Sequence, residues 1–330
     1  MTTHTIPQTM TAWRQHAYGP ADVVQAETVP VPSPGRKDVL LKVAAVSLNS
    51  GDIHLMRGEP RVVRLFFGLR RPRTRGRGMD VAGTVVAVGA GVTGFAVGDL
   101  VVGAGEETLA EFVAVKADRL TAVPADLDPV IAATLPVAGN TAATILDACG
   151  VGEGSKVLLV GAGGGVGTLT ASLAVARGAE VWATCGARAE PVLRDLGVAH
   201  TVDYRTHDVA SLPAGAFDAV VDIAGEPPLE VLRDRLGEGG TVALVGGDGH
   251  SFWGPFPRII RSLVLSRRAR RFRSVTALTK TPVTAELVRM TAAGVIRPVI
   301  EKTFGLSDAG AAIAHVESGR TVGKVVVVAE

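Results

Sequence analysis

The stretch KVLLVGAGGGVGTLTASLAVARGAEVWATCGARAEPVLRDLGVAHTVDYR, residues 156–205, constrains the fold more than any other part of this 330-residue chain. Residues 156–160 are an apolar run of strand length, too short for a helix. A glycine-rich turn, 161–167, follows at once. Residues 169–175 carry Leu169, Leu173 and Val175 among alanines, the pattern of a helix packed on a sheet. Arg177 and Gly178 then supply a cation and a glycine at its C-terminus. Residues 180–185 read as the next strand. Strand, glycine turn, helix and strand in this order make a βαβ unit with a dinucleotide-binding fingerprint at its first turn.

Gly163, Gly164, Gly165 and Gly167, with Val166 among them, are the candidate cofactor-binding residues of that turn. A pyrophosphate must approach backbone N–H groups at a helix N-terminus, where the dipole favours negative charge, and side chains would hold it away. The spacing is Ala162-x-Gly164-x-x-Gly167, so alanine stands where the first glycine is usual. Glycine turns are common; the strand before, the helix after and the second strand make this one specific.

The length suggests two domains, and a hydrophobic content of 47% is ample for their cores. Cys149 and Cys185 are the only cysteines, which excludes a disulfide scaffold and a four-cysteine zinc lobe. A net charge of +2 is too small to argue for nucleic acid. The opening residues MTTHTIPQTM lack an apolar signal core, and no segment resembles a membrane span. The expectation is a cytoplasmic protein with no membrane partner.

Residues 1–10 read as a tail. From 11 to 124 short strands recur at roughly 8–12-residue spacing, the mark of a compact barrel-like β domain. The pattern changes at Asp126. Helices are expected at 129–135 and 141–148, strands at 201–204, 219–222, 241–245 and 274–279, and helices at 228–236, 257–265, 283–292 and 307–316. A last strand, 324–328, returns to the first domain. Two arginine-dense stretches leave their role open. Residues 57–77, with Phe66 and Phe67, suit a lid or a patch for an acidic partner. Residues 267–273 suit an anionic substrate, a lipid, nucleic acid, or simply a solvated helix face beside Leu263 and Leu265.

Nearly everything from Trp13 to the end resembles the medium-chain dehydrogenase/reductase superfamily, and within it the zinc-free quinone oxidoreductase branch, close to the reticulon-interacting oxidoreductases and their bacterial relatives. The stretches that carry the likeness are SLNSGDIHLMRG at 47–58, GMDVAGTVVAVGAGV at 78–92, FAVGDLVVG at 95–103, LPVAGNTA at 135–142, VGAGGGVG at 160–167, VDYR at 202–205 and GKVVVV at 323–328. The resemblance implies an α/β protein: a GroES-like, β-rich catalytic domain over 1–125, completed by 280–330, plus a six-stranded doubly wound Rossmann domain over 126–279. It also implies a cofactor cleft between the two.

The resemblance further bears on individual residues. Where the zinc branch carries Cys, His and Cys, this chain has Asn49, Met79 and Val137, which cannot make the usual N/S zinc site, so no metal is expected. Asn49 is expected beside the nicotinamide ribose with an amide to donate, Thr141 near the ring, and His54 where some relatives carry a tyrosine facing substrate. Asp52 suits a helix cap as well as a participant. Tyr204 is expected near the adenosine 2′-phosphate, and Ala224, Gly246 and Lys324 complete the cofactor-binding set.

The second strand ends Thr184-Cys185, followed by Gly186-Ala187-Arg188. NAD-selective sites place a carboxylate about 20 residues after the glycine turn; here there is none, Gly186 leaves room, and Arg188 can make a charged contact. The expectation is therefore NADPH, used to reduce an activated C=C or C=O of a small electrophile such as an enone, quinone or aldehyde. A dedicated enoyl or ketone reductase is the alternative enzyme. A non-catalytic NADPH-binding sensor, or a protein that binds RNA or a protein partner, is the alternative of another class. A homodimer is expected through the edge strand at 274–279.

Overall fold

The computed structural model describes residues 6–245, 254, 256–266, 269–275 and 278–329. Gly246 lies outside the described residues, as do parts of the second arginine stretch and of the expected sixth strand.

Six parallel strands form one sheet, in the order His200–Asp203, Glu180–Cys185, Lys156–Val160, Phe217–Asp222, Leu236–Leu244 and Arg271–Ser274. Side chains alternate across it, and both faces are covered. Val157, Leu159, Val181, Ala183, Ala219, Val221 and Ala243 face one core. Leu158, Val160, Val220, Val242 and Leu244 face the other. A parallel sheet buried on both sides needs this near-continuous apolar sequence, which is why its strands read as plain apolar runs. The helix Gly165–Ala176 packs its buried Leu169, Leu173 and Ala174 into the first core. Pro136–Cys149 and Thr281–Ala292 also contribute to that core through Leu146, Leu287 and Val288.

A second sheet of seven strands runs Ile300–Gly305, Lys324–Val328, Asp38–Leu48, Asp80–Val88, Leu100–Ala104 and Leu120–Ala122, with Phe112–Lys116 also paired to Asp38–Leu48. Register shifts at Leu40/Leu41 and Val43/Ala45 let the long central strand bend and serve two partners. An antiparallel hairpin, Thr9–Gln15 with Val24–Pro30, lies beside it. The fold is thus α/β, with a β-rich lobe and a doubly wound parallel lobe.

Three expectations need correction. The tail is shorter than ten residues, because Thr9 and Met10 already belong to a strand and Met10 packs with Leu40 and Phe112. The helix expected at 228–236 ends at Arg235, since the fifth strand begins at Leu236. The sixth strand is Arg271–Ser274, not 274–279. Phe272 pairs with Val242 and is buried, while Arg271 and Arg273 flank it on an edge, where charged side chains are tolerated. Those residues are therefore not a helix face. The edge expected to pair in a dimer thus carries Arg271 and Arg273.

Candidate active site

The strand Lys156–Val160 ends at Gly161, whose φ of +84° few residues other than glycine adopt without strain. Its N–H is accepted by Thr184 Oγ1 at 3.1 Å, which ties the turn to the second strand. Gly164 then caps the helix Gly165–Ala176. The glycines divide by what a side chain would meet. A Cβ on Gly164 meets nothing within 4 Å, so the space over it is open. A Cβ on Gly167 would sit 2.5 Å from the Ala162 carbonyl oxygen, and one on Gly165 would sit 2.4 Å from Lys324 Cδ. Gly164 serves access, while Gly165 and Gly167 serve close packing.

This division gives a paired expectation. Gly164→Ala should melt like the parent yet bind dinucleotide poorly. Gly167→Ala should lower the melting temperature, because overpacking costs about 1–3 kcal/mol and outweighs the roughly 1 kcal/mol that alanine adds in a helix. Thermal melts and fluorescence titration of each variant check the pair.

The open space belongs to a cavity of about 930 Å³ at the C-terminal ends of the parallel strands. Gly161, Gly163 and Gly164 line it, with Thr184, Cys185, Gly186, Arg188, Tyr204, Arg205 and Ala224. Ser50, from the β-rich lobe, also lines it. The lobes are tied at the glycine turn: Gly323 N–H donates to Gly163 O at 2.9 Å. A ligand position outside the strand ends, at a helix N-terminus, is where an α/β sheet binds dinucleotides.

Several expected residues reach this wall and several do not. Cys185 does, as a buried thiol pushed up to about 11 by burial, so it is unreactive near neutrality. Tyr204 does, half-exposed, with the Arg205 guanidinium 4.9 Å over its ring. Arg188 does, but its guanidinium is engaged: it donates to Glu301 and, at 2.9 Å, to Arg320 O. Arg205 is one residue that sequence reasoning missed. A Cβ on Gly186 would lie 2.8 Å from Arg205 Nη1, so this cation sits directly over the glycine at the end of the second strand. Its signal was present in VDYR, one position after the tyrosine that was chosen.

Lys324 is not on the wall. It is buried, and its ammonium donates to Leu48 O at 2.8 Å and to Asn49 Oδ1 at 2.6 Å, with Asp80 Oδ2 at 3.7 Å. Asn49 Nδ2 donates to Asp80 Oδ2 at 2.8 Å. The amide expected to point at a ligand is thus held by Asp80, and the missed residue Asp80 is the hub. Its other oxygen accepts from the Val137 N–H at 2.9 Å. Asp52 is buried as a cap, accepting the Asn49 N–H at 2.8 Å. Thr141 commits its hydroxyl hydrogen to Val137 O at 2.7 Å. His54 is exposed in the helix Ser50–Arg57 and does not line the cavity.

Burial pushes the Asp80 carboxyl up to about 6, against the opposing pull of the Lys324 ammonium and its hydrogen bonds. Burial likewise lowers Lys324, which Asp80 and Asp52 oppose. Between 3.8 and about 6 the folded chain holds a proton that the unfolded chain has lost. This carboxyl's contribution to stability is therefore largest at the acid end of that window and declines as the pH rises through it. A carbon-13 NMR titration should place the Asp80 midpoint near 6. A midpoint at or below the ordinary 3.8 would mean that the ion pair outweighs burial.

A parallel sheet with a glycine cradle at its strand ends, closed by a second sheet, defines a two-lobed, dinucleotide-dependent oxidoreductase. Residues 35–125 match the alcohol dehydrogenase GroES-like domain, and residues 196–327 the zinc-binding dehydrogenase family. The chloroplast envelope quinone oxidoreductase homolog of Arabidopsis thaliana is 33% identical over 333 residues, spanning 96% of this chain and 98% of its own. The chloroplastic NADPH-dependent alkenal/one oxidoreductase of the same plant is 30% identical over 339 residues, spanning 98% and 80%. The solved quinone oxidoreductase from Coxiella burnetii superposes with a TM-score of 0.86 at 27% identity, over 98% of this chain and 100% of that one. The chain belongs to the medium-chain dehydrogenase/reductase superfamily, in its quinone oxidoreductase-like branch, and is an NAD(P)H-dependent oxidoreductase.

Proposed function

We propose that this enzyme takes NADPH and reduces an activated C=C or C=O, as in a quinone, an enone or an aldehyde, without a metal. The observation that carries the cofactor choice is Arg205 lying over Gly186, with no carboxylate at the end of the second strand. The glycine turn and the N-terminus of Gly165–Ala176 would hold the pyrophosphate. Arg205, backed by Arg188 and flanked by Tyr204, would hold the 2′-phosphate.

The nicotinamide, when bound, supplies a hydride to the electron-poor carbon. Asn49 and Thr141 give their hydrogens to protein acceptors, so their part is to position the nicotinamide end rather than to protonate product. The proton that balances the reaction then comes from solvent, reaching the oxygen or the α-carbon of the reduced product. The relatives named for quinone and for alkenal/one substrates support the substrate class.

The proposal of metal independence rests on the Asn49, Met79 and Val137 positions. The Asn49 amide is consumed by Asp80 and Lys324, and the other two side chains are a thioether and an isopropyl group. Elemental analysis of the purified enzyme should find no stoichiometric zinc, and chelator should leave turnover unchanged. Activity lost to chelator and restored by zinc would sink this reading. NADPH consumption against a panel of quinones, enones and aldehydes tests the substrate class, and turnover of none of them would refute it.

A further inference from the structure

The helix Phe256–Leu265 lies with its apolar side outward. Phe256, Ile260, Leu263 and Val264 fall on one helical stripe and are exposed, Val264 by 79%. The opposite stripe is fixed to the protein. Ser262 is buried, and Arg258 donates to the buried carboxylate of Asp222 at 2.6 Å and to Pro227 O at 2.6 Å. The helix is therefore held in this orientation, because turning it over would strand Asp222 without its cation.

A second exposed apolar group stands next to it. Leu65, Phe66, Phe67 and Leu69 project from the short helix Arg64–Phe67 and the residues after it, Phe66 being 71% exposed. The segments that lead into the two groups touch, for Gly254 packs on Pro60: a Cβ there would lie 2.5 Å from Pro60 Cγ. Leu69 also borders an open hollow of about 620 Å³ lined by Arg70, Arg71, Arg73 and Arg75. These four arginines are exposed and make no ion pair among the described residues. The surrounding sequence is strongly one-sided in charge. Residues 60–79 hold seven arginines and no carboxylate, and so do residues 249–285. Arg70, Arg71, Arg73 and Arg75 thus form an exposed cationic group beside Leu69, with no carboxylate partner among the described residues.

We propose that this face docks the enzyme on an anionic lipid surface. The outward stripe and the Leu65–Leu69 group would enter the headgroup boundary, and the arginine hollow would take lipid phosphates. No helix among the described residues is long and apolar enough to cross a membrane, so the contact is peripheral. Charge separates this occupant from the others. A second copy, pairing the same patch, would set the Arg70, Arg71, Arg73 and Arg75 group against itself. A single-stranded nucleic acid would ask for aromatic stacking platforms, whereas this stripe is mainly aliphatic.

The test is co-sedimentation of the full-length enzyme with vesicles of phosphatidylcholine alone and of phosphatidylcholine mixed with phosphatidylglycerol. Binding to the mixed vesicles, weakened by salt, is expected, with little binding to the neutral ones. Arg70→Gln with Arg71→Gln should weaken it roughly ten- to thirtyfold, at about one headgroup attraction per arginine. Ile260→Ser with Leu263→Ser should weaken it at least about tenfold. Both pairs are exposed, so their melts and NADPH affinities should match the parent. Equal binding to both vesicle types, binding to neither, or variants that bind like the parent would overturn the proposal. So would a dimer that becomes a monomer with Ile260→Ser and Leu263→Ser, or an RNA oligonucleotide bound in preference to the vesicles.

Discussion

Asp80→Ala is expected to cost the folded chain about 3–5 kcal/mol, the usual penalty for removing one partner of a buried charge pair. Three groups would lose their acceptor at once: the Asn49 amide, the Val137 N–H and, through space, the Lys324 ammonium. Lys324 keeps Leu48 O and Asn49 Oδ1, but its charge would have no carboxylate beside it. The loss should spread to cofactor binding. The Lys324 stem fills the space against Gly165, and the neighbouring Gly323 bonds Gly163, so a loosened cluster loosens the cradle. Asp80→Asn should be milder, since it keeps an oxygen for Val137 while setting its amide against that of Asn49. Urea unfolding with NADPH titration on both variants checks this. An Asp80→Ala protein as stable as the parent would remove the cluster from its proposed role.

Arg205→Ala should raise the KM for NADPH about 10- to 100-fold while leaving that for NADH nearly unchanged. A hydrogen bond to a charged group contributes about 1.5–3 kcal/mol, and only NADPH offers the 2′-phosphate to receive it. Arg188→Ala should do less, because that guanidinium is already shared between Glu301 and the Arg320 carbonyl. Gly186→Asp supplies the converse. Its new carboxylate would meet Arg205, a flexible neighbour able to swing and pair with it, and would repel the phosphate, shifting preference toward NADH. Equal losses for both cofactors on Arg205→Ala would move the 2′-phosphate away from Gly186.

The parallel lobe was readable because its strands are buried on both faces and its turn is punctuated by glycine, so type and order follow from local pattern. The sixth strand lies earlier than 274–279 because an edge strand needs little apolar sequence. Arg271–Ser274 is an edge strand, where one buried Phe272 suffices and arginine is welcome. Of the candidate residues, Gly163, Gly164, Cys185, Gly186, Arg188, Tyr204 and Ala224 line the cavity, and spacing and resemblance point to them because each lies at or beside the end of a parallel strand. Asp80 and Arg205 were not legible, for one shared reason. Each acts through a partner distant in sequence: Asn49 and Lys324 for Asp80, and Gly186 for Arg205. Lys324, a cofactor-binding candidate, has its ammonium buried on Leu48 O and Asn49 Oδ1, contacts distant in sequence that no local pattern reveals. The outward stripe of Phe256–Leu265 carries a helical period, but period alone does not say which side meets the core.

By this reading, the second strand and its arginine select NADPH for reduction of an electrophile. Initial-rate kinetics of the unmodified enzyme, with NADPH and with NADH against the same quinone or enone, test it most directly. The account predicts a kcat/KM for NADPH at least about tenfold above that for NADH, the share one charged contact to the phosphate can supply. Equal use of the two cofactors, or a preference for NADH, would contradict it.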